Sequence, residues 1–225
     1  MAIERLVSRP AAGLAEAHVA RVAASGLARH AHLAALVESS GPHAGRDLAD
    51  AVHLLCSLHG RHPGLIDIAG DHAPSLGLAA ADWLARAAEG FARERRLLVR
   101  LTACVGPLPS TPGAAETEAG LLAQRHALET LARSERRGCA LGAATALVGD
   151  WWPVRSVLER VAERAGIDCP PPLLPDEGSA LAALAGGDAG MSVERAFAFG
   201  AEQLLLQHRA LFDLLEARCE ARGDF

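Results

Sequence analysis

The chain has 225 residues and a net charge of −5, its 22 basic residues are all arginine, and it contains no lysine, tyrosine or asparagine. Without lysine there is no Schiff base, no P-loop and no Ser–Lys dyad, and without tyrosine no phenolic acid or nucleophile. The acidic balance argues against a broad nucleic-acid surface, while a hydrophobic share of 50% is enough for a sizeable core.

Five cysteines, Cys56, Cys104, Cys139, Cys169 and Cys219, lie far apart and form no CxxC pair. Reduced thiols in a cytoplasm are expected rather than a disulfide framework, and a zinc ribbon is not. The start, Met-Ala-Ile-Glu-Arg, lacks the apolar core of a signal peptide. No apolar run approaches the roughly 20 residues of a membrane span. A protein without membrane or nucleic-acid partners is expected.

Helix formers dominate and Val/Ile/Thr alternation is nearly absent, so the chain reads as all-α. One domain over residues 1–225 is expected, an irregular bundle of six or seven helices with loops near 39–44, 106–113, 168–178 and 186–191. The first helix runs from Pro10 to Val37, with Gly26 weakening its middle. The second runs from Gly45 to His59, where Gly60 and Pro63-Gly64 punctuate it. A short helix spans Leu65 to Ala69. The third long helix starts at Ser75 or Leu76, with Ser75 as a cap, and ends at Val105. A fourth extends from Ala114 to Gly149, and its small residues Gly138, Gly142 and Gly149 would let another helix come close. Asp150 reads as the N-cap of a fifth, with Pro153 in its first turn and Gly166 at its end. A weak helix spans Ser179 to Gly190. The last helix starts at Ser192, with a single cap, and ends near Glu220.

Phasing each helix at about 100° per residue shows where polar groups enter the core. In the third long helix, Trp83, Ala87, Gly90, Phe91, Leu98, Leu101 and Val105 share a face, and Glu94 falls in its middle. In the last helix, His208 sits inside the stripe of Val193, Phe197, Ala201, Leu204, Leu211 and Leu215. Glu202, Arg209, Asp213 and Glu216 look solvated. In the second helix His59 points inward, whereas His53 points out beside Asp50. His18 and His32 sit at the border of the first helix's apolar stripe. Arg125 and Glu129 are spaced for an intrahelical ion pair, and His126 turns away from the seam. Arg93, Arg95, Arg96 and Arg100 read as a solvated face.

The stretch Ala144-Thr145-Ala146-Leu147-Val148-Gly149-Asp150-Trp151-Trp152, with the length and helix order, resembles the haem-oxygenase-like helical fold and its TenA branch. That resemblance implies one all-α domain around an internal pocket. Gly149-Asp150 stands where the TenA pattern has Pro-Cys, and no pocket tyrosine exists, so no catalytic residue carries over. The chain also has the look of an uncharacterised bacterial family.

Two readings follow. In the first, Glu94, His59 and His208 line an interior pocket, with Arg125 countering an anionic ligand. The pocket binds a small molecule, or a metal ligated by Glu94, His59 and His208. Glu and neutral His suit iron, manganese or zinc, and bundles build such sites from facing helices. In the second, alanine faces pack on a partner or on a second copy as a homodimer. No motif selects a reaction, so whether the chain is an enzyme stays open.

Overall fold

The computed structural model describes residues 9–71, 77–176, 178 and 190–223. Among them are eight α-helices, one 3-10 turn and no strand. In chain order these are α1 (Arg9–Ser25), the 3-10 turn (Leu27–Arg29), α2 (Ala31–Glu38), α3 (Ala44–His59), α4 (Leu65–Asp71), α5 (Leu78–Cys104), α6 (Ala114–Ala132), α7 (Cys139–Ala165) and α8 (Met191–Arg222). The bundle therefore holds more helices than the expected six or seven. None of those described is long and apolar enough to cross a membrane.

The surplus comes mainly from the amino-terminal segment. Where one helix was expected from Pro10 to Val37, the chain breaks at Gly26 into α1, the 3-10 turn and α2. The cause lies elsewhere in the fold. Asp150 of α7 sits against the break and takes the Leu27 backbone N–H at 2.7 Å. A Cβ on Gly26 would overlap that carboxylate and the Val22 carbonyl. The chain then re-enters helix at His30, whose Nδ1 accepts the His32 N–H at 3.2 Å.

α7 is the axis of the bundle. It packs against every other described α-helix and is buried without interruption from Cys139 to Trp151. Its start overturns the expected boundary. Gly138 holds φ +94°, a conformation that costs a side chain dearly, and so separates α6 from α7. The helix then runs straight through Asp150 and Pro153. Asp150 is thus a core residue, not a cap. Proline in mid-helix removes one ladder hydrogen bond, a loss that surrounding packing can outweigh. Gly166, left-handed at φ +64°, ends α7 and lets the Ile167 N–H reach back to the Ala162 carbonyl at 2.9 Å.

α8 lies directly on α7. A Cβ on Gly142 would overlap the Phe197 carbonyl, and one on Gly200 the Cys139 carbonyl, so the two backbones touch. The small residues of the Ala/Gly-rich stretch serve this contact. Glycine at Gly190, rather than Ser192, stands at the N-cap of α8. The extended segment 167–176 crosses over α5 and α7. Trp83 donates Nε1–H to the Asp176 carbonyl at 3.0 Å, and Arg155 donates to the Pro170 carbonyl at 2.6 Å. Ser75 and almost all of 179–190 fall outside the described residues.

Candidate functional site

The inward-facing acid of α5 is neutralised within the core. Glu94 is 2% exposed. Its Oε2 accepts Trp151 Nε1–H at 2.9 Å and an Arg155 N–H at 3.2 Å, both from α7. Arg155 is equally buried and also meets Glu159 at 3.4 Å. A buried carboxylate is tolerable on these terms, because charge and lone pairs are both answered. Glu94 is tied into the architecture and presents no open oxygen pair.

The histidines are different. His59 is the last residue of α3, placed inward by the stripe of Leu48, Val52, Leu55 and Leu58, and it is 5% exposed. His208 of α8 is 1% exposed. Their rings meet edge to face with centroids 5.1 Å apart, and the His59 ring also lies edge-on to Trp151 at 5.4 Å. His208 Nδ1 donates to Asp150 Oδ2 at 2.8 Å, the other oxygen of the carboxylate that holds Leu27. That bond places a hydrogen on Nδ1 and turns Nε2 away from Asp150. His208 Nε2 is buried without a hydrogen-bond partner, and so is His59 Nε2. Burial pushes the His59 pKa well below its ordinary range, and neighbouring His208 acts in the same direction, so the ring is neutral.

A cavity of about 340 Å³ opens beside His59, where the end of α3 and the start of α4 face α5, α6 and α7. Leu58, Leu65, Ile68, Phe91, Leu128 and Leu147 make its apolar wall. Its polar members are His59, Arg61, His62, Arg125, Glu129 and Arg133. The expected Arg125–Glu129 pair does not form. Glu129 instead takes two N–H bonds from Arg133, at 2.7 and 3.1 Å, because that guanidinium reaches it one turn further along α6. Arg125 is left with a buried Nε that has no partner. His62, beyond the helix end, is exposed and lies 3.4 Å from Asp67.

The metal arrangement expected of Glu94, His59 and His208 is not assembled. Among the described residues only His30, Asp213 and Glu216 bring three ligand atoms within 4.8 Å of one another. Glu94 is occupied by Trp151 and Arg155, and the His208 Nδ1 by Asp150. The His30 group has its own obstacle. Its Nδ1 accepts the His32 N–H, so its Nε2 carries the hydrogen that meets Asp213 at 3.0 Å. A metal at Nε2 would need the opposite tautomer and would cost the cap.

A second buried polar cluster escaped sequence reasoning. Asp50, expected to point outward, is fully buried. Arg218 grips it through two nitrogens at 2.8 and 2.9 Å, and Arg222 binds it at 2.6 Å while also reaching Asp47 at 2.7 Å. Thr117 and the Pro109 carbonyl take further Arg218 N–H groups. Burial by itself would lower the Arg222 pKa, but its hydrogen bonds to Asp50 and Asp47 outweigh that and raise it. The signal lay in spacing, for Leu211, Leu215, Arg218 and Arg222 continue the inward stripe at steps of four, three and four. His18, expected at a stripe border, is completely buried against Phe197. Arg95, expected on a solvated face, is 7% exposed and pairs with Asp67 at 2.8 Å. His53 bonds the Gly106 carbonyl at 2.8 Å.

A family model described as a family of unknown function, DUF6975, matches residues 22–223. No curated protein and no solved structure matches the chain. The resemblance to haem-oxygenase-like proteins gains no support from these comparisons.

Proposed function

For a chain that belongs to the DUF6975 family, we propose that the function is to bind a small molecule in the cavity beside His59. The observation that carries this reading is a ring on that cavity's wall, His59, whose buried Nε2 has no partner, backed by His208, whose Nε2 is also buried without one. Leaving a buried polar atom unpaired costs about 1–3 kcal/mol. A folded chain carries that cost most readily where a bound molecule removes it. The volume of about 340 Å³ lies within the usual span of small-molecule sites, and the wall sets an apolar face against polar side chains that could orient a ligand.

His59 supplies the polar contact. His208, oriented by Asp150, lies behind it and holds the ring in place. Bundles around an internal pocket are also what the haem-oxygenase-like resemblance implies. The competing picture, self-association through alanine faces, loses its main surface, because Ala140, Ala143, Ala144 and Ala146 of α7 are buried within the chain. Five free thiols accord with the cytoplasm as the place of work.

The test is ligand-dependent stability. A library of small aromatic and aliphatic probes is screened by thermal melting against the native chain and His59→Ala. A probe at one hundred times its Kd adds about 2.7 kcal/mol of stability. The reading expects at least one probe to stabilise the native chain and to lose that effect in His59→Ala. Stabilisation by no probe, or stabilisation indifferent to His59→Ala, overturns it.

A further inference from the structure

Resting on that pocket reading, we propose that the ligand is a small organic carboxylate, its anionic end held by Arg125 and its apolar body seated between Phe91, Leu128 and Leu147. Arg125, Glu129 and Arg133 follow at intervals of four, and one acid cannot neutralise both arginines. Glu129 turns to Arg133 and accepts two of its N–H groups. Arg125 is therefore a cation on the cavity wall with a buried, unpartnered Nε.

Arginine keeps its charge at any pH a protein survives, so proton loss cannot relieve this. An anion can. The planar fork of a guanidinium matches a carboxylate through two parallel hydrogen bonds, and such charge-assisted bonds are about twice as strong as neutral ones. His59, on the same cavity, is 5% exposed and has its own unpartnered nitrogen. A neutral imidazole adds one directional hydrogen bond to the ligand without adding charge. Phe91, Leu128 and Leu147 form an apolar stretch of the wall that suits a short hydrocarbon body, while Arg61, His62, Glu129 and Arg133 keep the rest of the wall polar. Arg61, exposed at the rim, adds positive charge on the approach.

The experiment is titration calorimetry with matched pairs: benzoate against benzamide, and hexanoate against hexanamide. Native chain, Arg125→Gln and His59→Gln are compared at one pH. The acid of each pair is expected to bind about tenfold or more tighter than its amide. Arg125→Gln should abolish that difference by weakening the acid alone, while His59→Gln should weaken both members. Amides binding as tightly as acids, or acids indifferent to Arg125→Gln, would overturn the carboxylate. If amides bind through His59 while acids do not, the ligand class falls and the pocket stands. If no member of either pair binds, both fall. Should Arg125→Gln fail to fold, the acid–amide comparison on the native chain decides the matter.

Discussion

Among the buried polar clusters of the described residues, two are built on opposite terms. At one end, Asp50, Asp47, Arg218 and Arg222 saturate one another, with Thr117 and Thr111 taking the remaining N–H groups. Near the cavity, His59, His208 and Arg125 each keep a buried nitrogen with no partner. A saturated cluster has nothing left to offer a ligand. An unsaturated one carries an energetic cost in the free protein, and that cost is what binding can recover. Between these two clusters it is the completeness of hydrogen bonding, rather than burial or charge, that differs.

The sharpest break in this comparison is Arg218→Ala. It strands Asp50 in the core, and losing one partner of a buried pair costs about 3–5 kcal/mol. Urea unfolding should show that loss with ligand-binding capacity intact in the remaining folded fraction. A cost below 1 kcal/mol would mean the cluster is not saturated in the sense described. Gly200→Ala comes next. Its new methyl overlaps the Cys139 carbonyl, so α7 and α8 must separate, at about 1–3 kcal/mol as for other overpacked cores.

At the cavity the expected sign differs. His59→Phe keeps the ring contacts with Phe91 and Trp151 and removes the unpaired nitrogen. At pH 7.5 its stability should stay within about 1 kcal/mol of the native chain or exceed it, even as binding is lost. Its pH dependence sharpens the point. His59 has a folded pKa well below its ordinary 6.5, from burial first and His208 second. The unfolded chain therefore binds its proton first. Stability from this ring is complete above the unfolded pKa and is lost as the pH falls below it, by up to about 1.4 kcal/mol per pH unit. His32, also lowered chiefly by burial, contributes in the same direction in both proteins. The difference between native chain and His59→Phe, followed by urea unfolding from pH 7.5 to 5, should thus widen in favour of the variant. A constant difference would show that His59 is not held neutral. Smallest of all is Glu129→Gln. The exposed Arg133 pair it removes is worth about 0.3–0.5 kcal/mol, and double-mutant melting with Arg133→Gln should find a coupling no larger.

Much of the architecture was legible because the period of 3.6 was strong. It placed Glu94, His59 and His208 inward, and all three are buried. Gly60 stopped α3 where expected, and Gly138 and Gly142 of the fourth predicted helix did admit another helix. What failed was decided at long range. Gly26 as a helix break depends on Asp150, 124 positions away along the chain. Asp150 and Pro153 carry the local marks of a helix start, yet tertiary packing kept α7 continuous. The Arg125–Glu129 pair was reasonable by spacing and lost to Arg133, a competitor at the same interval. The carboxylate of Glu94 was correctly found in the core, but only the fold could show that Trp151 and Arg155 occupy it.

Asp150 divides its two oxygens between distant duties, one anchoring the Leu27 amide and the other orienting His208. The notch at Gly26 is thereby a mechanical input to the ring behind the cavity. Were α1 and its 3-10 turn to peel away, that carboxylate would be free to rotate and the imidazole would lose its bearing. Damage near the amino terminus should then register first as altered histidine resonances, before any helix melts.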